Sequence, residues 1–267
     1  MALIGTLTSG ISALKSFSKG LEVIGNNIAN VNTTGYKSSS TSFADTFSNT
    51  LRAASATGTA AVQIGTGVQI AGVSTNYTQG SLSSTGKNTD LGISGNGYFA
   101  VQDPSGINYA TRDGSFHFDP SGDLVNSLGY NVLDVTGTKI NVTNYDQVSS
   151  ISIGKDGVVS AFYSDPSLTY TSQTVALMKV PDETKLMKQG NNLYDFSSTG
   201  TAPLSAATAT PGLTGLGAIQ SGTLELSNVD LTEQFSELIT TQRSFQAGSR
   251  LITISDSVLE DIVNLKR

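Results

Sequence analysis

Near the amino terminus, apolar residues recur at steps of three and four. Ile4, Leu7, Ile11, Leu14, Leu21 and Ile28 form the row, and the small residues Ser18 and Gly25 complete it. This spacing predicts one stripe of a helix over residues 1 to about 34. The small members would let a partner approach closely. The helix is expected to fail at Asn30-Val31-Asn32-Thr33-Thr34-Gly35, a run of turn-formers ending in glycine. From about 228 to 265 a second row steps four and three throughout: Leu231, Phe235, Leu238, Gln242, Phe245, Ser249, Ile252, Asp256, Leu259 and Val263. A sustained 3.5-residue period reads as a coiled-coil strand, with a long core helix of an ordinary domain as the alternative. Ser227-Asn228 offers an N-cap, with Asp230 and Glu233 in the first turn and Lys266 and Arg267 at the opposite, negative end.

The middle of the chain has a different texture. Val68–Val73, Gly97–Val101, Phe116–Phe118, Ile140–Val142, Ile151–Ile153 and Val175–Val180 are short, β-branched or aromatic runs. Turn signals separate them, among them Asp103-Pro104-Ser105-Gly106, Asp119-Pro120-Ser121-Gly122 and Lys155-Asp156-Gly157. Runs and turns in this order predict antiparallel strands, not βαβ units. The fold class is therefore α+β: terminal helices paired in a coiled-coil-like layer, with an antiparallel all-β middle domain. The expected division is 1–34 plus 225–267 for the helical domain, 35–75 for an extended linker and 76–224 for the β domain. Ser55–Ala61 and Ser197–Gly217, rich in small residues, read as connections.

Composition narrows the function. Charged residues are only 13 % of 267, and the net charge is −6. An acidic chain lacks the clustered cations that a duplex-DNA binder needs. No cysteine is present, which removes disulfides, thiolate metal sites and thiol catalysis. His117 is the only histidine, so no His pair exists for zinc. It sits between Phe116 and Phe118 and reads as a surface or edge-strand residue. No apolar run approaches the roughly 20 residues needed to span a bilayer. The first residues carry no basic stretch of the kind that opens a secretory signal peptide. Ser84-Thr85-Gly86-Lys87-Asn88 fails as a phosphate loop because Ser81 and Asn88 stand where glycine and Ser or Thr are required. No catalytic, cofactor-binding or metal-ligating set emerges.

The terminal helices look incomplete alone. Gln242, Ser249 and Asp256 interrupt the carboxy-terminal row, and Gly248 in mid-helix costs about 1 kcal/mol. Residues 1–37 carry Lys15, Lys19 and Lys37 against Glu22, whereas the last stretch is acidic. Opposite signs guide register, although exposed pairs contribute only about 0–1 kcal/mol each. Both ends are expected to order on assembly with neighbours.

Specific motifs then point to a family. Gly25-Asn26-Asn27-Ile28-Ala29-Asn30-Val31-Asn32-Thr33-Thr34-Gly35-Tyr36-Lys37 resembles the amino-terminal signature of bacterial flagellar rod and hook proteins. Leu226-Ser227-Asn228-Val229-Asp230-Leu231, followed by Thr241-Gln242-Arg243-Ser244-Phe245-Gln246, resembles that family's carboxy-terminal motif. Gln63–Val68, Asp90–Phe99 and Thr111-Arg112-Asp113-Gly114-Ser115-Phe116 are similar to its central segments. The resemblance covers nearly the whole chain. It implies a self-assembling axial tube of the flagellum (hook or basal body), with an inner layer of terminal helices, exported through the flagellar type III apparatus. Implied partners are further copies of the chain, neighbouring rod, hook and hook-junction proteins, and the hook cap protein. No cofactor, nucleic acid or membrane insertion is implied. The subunit-interface stripes would be the two apolar rows above, and Asn26, Asn27, Asn30, Asn32, Gly35, Asn228, Gln242 and Arg243 the family motif residues. Ser42–Phe47 and Val263-Asn264-Leu265-Lys266-Arg267 resemble the hook protein, while Gln63–Val68 and Ile151–Ser160 also resemble the distal rod protein. Residues 76–222 leave no room for an inserted outer domain. The first expectation is a short hook subunit, a universal joint; the alternative is a distal-rod subunit, and a secreted β-rich adhesin is the different-class alternative. Deleting residues 1–30 is expected to abolish assembly while a folded β domain persists, which sedimentation and circular dichroism check; an adhesin would survive the truncation intact.

Overall fold

In a computed structural model, the structure describes residues 2–52, 61–165, 172–196, 208–209, 211–212 and 215–265. The expected connection at 55–61 lies outside the described residues apart from Ala61, and so does most of 197–217. Lys266, Arg267 and the side chain of Ile4 also lie outside them. The chain divides into two units, one made of Met1–Ala29, Ser38–Asn76 and Val229–Arg267, the other of Asn30–Lys37 and Tyr77–Asn228.

The first unit holds two long helices, α1 (Ala2–Ala29) and α2 (Leu231–Leu265). The first stops at the Asn- and Thr-rich cluster, as its turn-formers require. Capping of α2 differs from the sequence expectation. Asp230, not Ser227-Asn228, is the cap: its Oδ1 accepts from the Thr232 and Glu233 amides at 2.8 and 3.3 Å. Its carbonyl also accepts the Gln234 amide. A carboxylate here satisfies orphan donors and meets the positive helix end.

The helices run antiparallel and meet along a line in which small and polar residues alternate with apolar ones such as Leu14 and Ile252. Asn27 donates to Gln234 Oε1 at 2.8 Å. A Cβ on Gly20 would lie 3.8 Å from Thr241, one on Gly248 3.4 Å from Leu14, and one on Gly10 3.2 Å from Ile252. Gly248 thus gives up intrinsic helix propensity but lets Leu14 pack on the backbone of α2. Between the helices in sequence, Ser39–Asp45 pairs antiparallel with Val68–Thr75, and Ser48–Arg52 with Val62–Gly65. This hairpin lies on α1. Ser16 Oγ donates to the Val68 carbonyl, Ser12 Oγ accepts the Val68 amide, and Phe17 meets Phe43 edge-on at 5.9 Å. Gly67, at φ 140°, has no room for a side chain, since its Cβ would fall on Ser12.

The second unit is built of antiparallel strands. Its largest sheet runs Met187–Gly190, Leu193–Asp195, Asn108–Thr111, Tyr98–Gln102, Asn131–Val132, Leu124–Asn126 and Phe116–Phe118, with Leu177–Met178 also pairing to Tyr98–Gln102. Tyr98–Gln102 lies at the centre, and its apolar run is buried on both faces. Alternate side chains then serve two clusters. Phe99 and Val101 join Leu91, Leu124, Val132 and Leu177; Tyr98 and Ala100 join Leu133, Met178 and Tyr194. Val148–Ile153 pairs with Val158–Tyr163, which pairs with Gln173–Thr174. The Asp-Pro-Ser-Gly runs close turns as their composition predicts: Gly106 and Gly122 donate to Asp103 and Asp119 with φ of 87° and 81°. Ile140–Val142 departs from the expectation. It forms no strand: Asn141 makes an isolated bridge to Asp123 and the preceding Lys139 one to Leu133, although Ile140 and Val142 are fully buried. His117 is exposed on the edge strand.

Burial raises the phenols of Tyr98 and Tyr194 far above their ordinary value of 10.0. The folded unit therefore keeps protons that the unfolded chain releases. Stability is fully present below pH 10 and is lost as pH rises through the folded values. Base titration followed by circular dichroism and phenolate absorbance is expected to show cooperative unfolding above pH 10, with Tyr194→Phe moving the midpoint upward.

Candidate functional site

Each unit contains a buried polar constellation that ties together segments distant in sequence. In the helical unit it is Asn27, only 1 % exposed. Its amide behaves like an extra residue of the hairpin: Oδ1 accepts from the Ser39 amide at 3.0 Å and Nδ2 donates to the Ser39 carbonyl at 2.7 Å. The same Nδ2 donates to Gln234 on α2. One side chain joins α1, α2 and the hairpin, so its position sets their register.

In the β unit the constellation is ionic. Glu225 ends the strand Thr223–Glu225, which pairs with Leu82–Ser84. Its side chain is fully buried, and those of Lys37 and Arg112 are 1 and 3 % exposed. Glu225 Oε1 accepts from Lys37 Nζ at 2.7 Å and from the Gly80 amide at 2.9 Å, and Oε2 accepts from Arg112 Nη1 at 3.1 Å. Lys37 also donates to the Thr78 carbonyl at 2.8 Å. Arg112 donates to the Gly95 carbonyl at 3.0 Å and lies 5.0 Å above the Tyr98 ring, a cation–π contact. Tyr98 hydroxyl donates to Glu183, a second carboxylate that offsets the second cation. Arg112 Nε is the buried side-chain atom left without a partner among the described residues. Burial pulls the Lys37 ammonium below the ordinary lysine value, against the opposing pull of Glu225.

Glycine makes the convergence possible. At Gly35, φ is 66° and a Cβ would lie 2.8 Å from the Arg112 carbonyl carbon. At Gly80, a Cβ would overlap the Leu226 carbonyl oxygen. Asn192 Nδ2 donates to the Thr34 carbonyl at 2.6 Å, and Thr34 donates to Asp113, fixing the 30–37 segment. Glu225 is saturated with donors and sealed from solvent, so this is a structural centre without an accessible acid, base or nucleophile. Among the described residues, no group of three or more His, Asp or Glu could hold a metal ion.

The expected interface rows fall as follows. Leu7, Leu14, Leu21 and Ile28 are half-buried; Ile11, Ser18 and Gly25 are exposed. On α2, Leu238, Phe245 and Ile252 are half-buried, whereas Leu231, Phe235, Gln242, Ser249, Asp256, Leu259 and Val263 are exposed. The seam within the chain instead takes Gln234, Thr241, Gly248 and Ser255 as companions of the 238–245–252 row. Of the motif residues, Asn27 and Gly35 are buried, Asn30 and Asn228 half-buried, and Asn26, Asn32, Gln242 and Arg243 exposed. Asn30 accepts from Thr33, and Asn228 donates to Thr78. Sequence reasoning missed Gln234, Glu225, Lys37 and Arg112 as partners. Lys37 and Arg112 lie inside quoted motifs, but nothing local ties them to a residue 188 or 113 positions away.

Comparison with known proteins fits this geometry. The family described as "Flagella basal body rod protein" matches residues 7–37, "Flagellar hook protein FlgE/F/G D1 domain" matches 92–161, and "Flagellar basal body rod FlgEFG protein C-terminal" matches 220–265. Flagellar basal-body rod protein FlgG of Bacillus subtilis (strain 168) is 42 % identical over 99 % of this chain and 100 % of that protein. The chain belongs to the bacterial flagellar hook and basal-body rod family. FlgG of Buchnera aphidicola (subsp. Acyrthosiphon pisum, strain APS) is 34 % identical over 92 % of this chain and 93 % of its own length. FlgF of Caulobacter vibrioides is 33 % identical over 91 and 90 %. This family member is thus a structural constituent of the flagellum, not an enzyme. No helix among the described residues is long and apolar enough to cross a membrane.

Two substitutions separate the ionic centre from ordinary helix chemistry. Glu225→Gln leaves two buried cations without their shared anion and is expected to cost about 3–5 kcal/mol in urea unfolding. Asp230→Ala removes one cap and is expected to cost about 1 kcal/mol.

Proposed function

We propose that the chain is a subunit of the distal rod, the straight shaft that carries torque through the flagellar basal body. The observation that supports this reading best is collinearity: a protein named as a basal-body rod protein aligns with this chain from end to end at 42 % identity. The hook reading rests on two short resemblances, whereas full-length relatives carry rod names. The distal rod therefore replaces the hook as the preferred assignment.

A shaft needs surfaces for identical neighbours. Supporting this, both helices carry exposed apolar side chains: Ile11 at 57 %, Leu251 at 55 %, Ile254 at 59 % and Val263 at 68 %. Apolar side chains exposed together on long helices mark an interaction face. In this reading the rows of Ile4–Ile28 and Leu231–Val263 bury against adjacent copies. Neighbouring rod and hook proteins meet the ends of the stack, and the flagellar type III export apparatus delivers the chain. Opposite charge on the two termini guides which rows meet, and apolar burial holds them.

Complementation tests the assignment. Expressed in Bacillus subtilis lacking its own FlgG, the chain is expected to restore hook-bearing basal bodies and swimming. In a strain lacking the hook subunit it is expected to restore neither. The reverse pattern, scored by electron microscopy of isolated basal bodies, returns the hook reading.

A further inference from the structure

We infer that Lys37, Glu225 and Arg112 form a mechanical clasp that locks together the segments by which the chain enters and leaves the β unit, with Glu225 as its positioning residue. The chain passes between its two units after Ala29, Lys37, Asn76 and Asn228. On the β side these passages continue as residues 30–37, as 77 onward, and as the stretch ending at 228. Every pair of these segments is bonded. The first meets the last through Gly35 N to the Glu225 carbonyl at 2.8 Å, Lys37 to the Glu225 carboxylate, and Asn228 N to the Tyr36 carbonyl at 3.4 Å. It meets the second through Lys37 Nζ to the Thr78 carbonyl. The second meets the last through Gly80 N to Glu225 Oε1 and Asn228 Nδ2 to Thr78.

Arg112 connects this knot to the centre of the unit. It follows directly on the strand Asn108–Thr111, which pairs with Tyr98–Gln102, and it bonds both Glu225 and the Gly95 carbonyl. A pull on any one of these three segments is therefore shared by the other two and handed to the sheet. Thermal stability alone does not call for such a device, because apolar residues of similar volume commonly replace a buried charged triad without loss. Apolar contacts can slide over one another. Charge-assisted hydrogen bonds are short and directional, and they resist displacement of a few tenths of an ångström. The source of the pull rests on the rod reading; the clasp itself does not.

The chain has no cysteine, so handles can be placed at will. With cysteines at Asn32 and Leu226, both exposed in the β unit, single-molecule pulling pries the first segment from the last. The full-length chain is compared with its Lys37→Met/Arg112→Met/Glu225→Met variant. The urea midpoint is expected to hold while the first rupture force falls by about a third or more, as forced opening follows the unfolding barrier and not the equilibrium. An unchanged rupture force overturns the clasp, and so does a urea midpoint that falls in step with the force. Should the variant not fold, amide exchange of the unsubstituted chain decides. The Gly35, Gly80 and Asn228 amides are expected to open as one cooperative group, separately from the strand Tyr98–Gln102. Independent opening of the three overturns the proposal. Both measurements use the isolated chain, so a failed complementation removes the rod reading without touching their outcome.

Discussion

A single carboxylate, buried without contact to water, dictates much of the β unit. Glu225 has to find donors or remain unfolded, because an unpaired buried charge is far more costly than any local strain. Its donors come from three distant stretches, Lys37, Gly80 and Arg112. Bringing them within 3.1 Å of one side chain forces backbones together, and the glycines answer that demand. Gly35 adopts φ 66° against the Arg112 backbone, and Gly80 presses on the Leu226 carbonyl. Lys188 adds a donor to the Lys37 carbonyl and lies 5.2 Å from the Tyr36 ring, so the neighbouring Gly35-Tyr36-Lys37 stretch is held on both sides.

The same logic, in neutral form, operates at Asn27. A primary amide offers two donors and one strong acceptor, and the site uses them on Ser39 and Gln234. An apolar residue would fill the space but leave the Ser39 amide and carbonyl without these bonds. Register within the helical unit is set by polar geometry, and the glycines at 10, 20 and 248 provide the close approach. Such polar contacts fix which arrangement forms, as buried polar residues do in coiled coils.

Legibility in the sequence follows from what each signal measures. Helices were readable because period survives any partner: α1 and α2 lie where the three- and four-residue steps place them. The half of the α2 seam made by Leu238, Phe245 and Ile252 was readable too. Its other half was not, because the four-and-three steps select Phe235 over Gln234, Gln242 over Thr241 and Asp256 over Ser255, while Gln234, Thr241 and Ser255 are the more buried residues. Strands and turns of the β unit announced themselves through Tyr98–Gln102 and the two Asp-Pro-Ser-Gly turns. The ionic centre did not, since its pairs are separated by 113 and 188 residues and leave no periodic trace. The cap at Asp230 was obscured because Ser227, Asn228 and Asp230 are equally good cap formers within four residues, and only the structure shows which one meets the first helical amides.

These choices together divide labour between a chain and its neighbours. Were the whole apolar row of α2 spent on α1, the isolated chain would have little reason to associate. Instead only Leu238, Phe245 and Ile252 turn inward beside the polar and glycine-lined positions that fix register, and apolar residues such as Phe235, Ile254 and Val263 stay outside. In the proposed rod, burial against further copies then supplies the free energy that the intrachain seam withholds. The β unit follows the opposite rule, closing its apolar clusters and its charges within one chain. In the rod reading the helical ends complete their packing on neighbouring copies, whereas the β unit closes its apolar clusters within one chain.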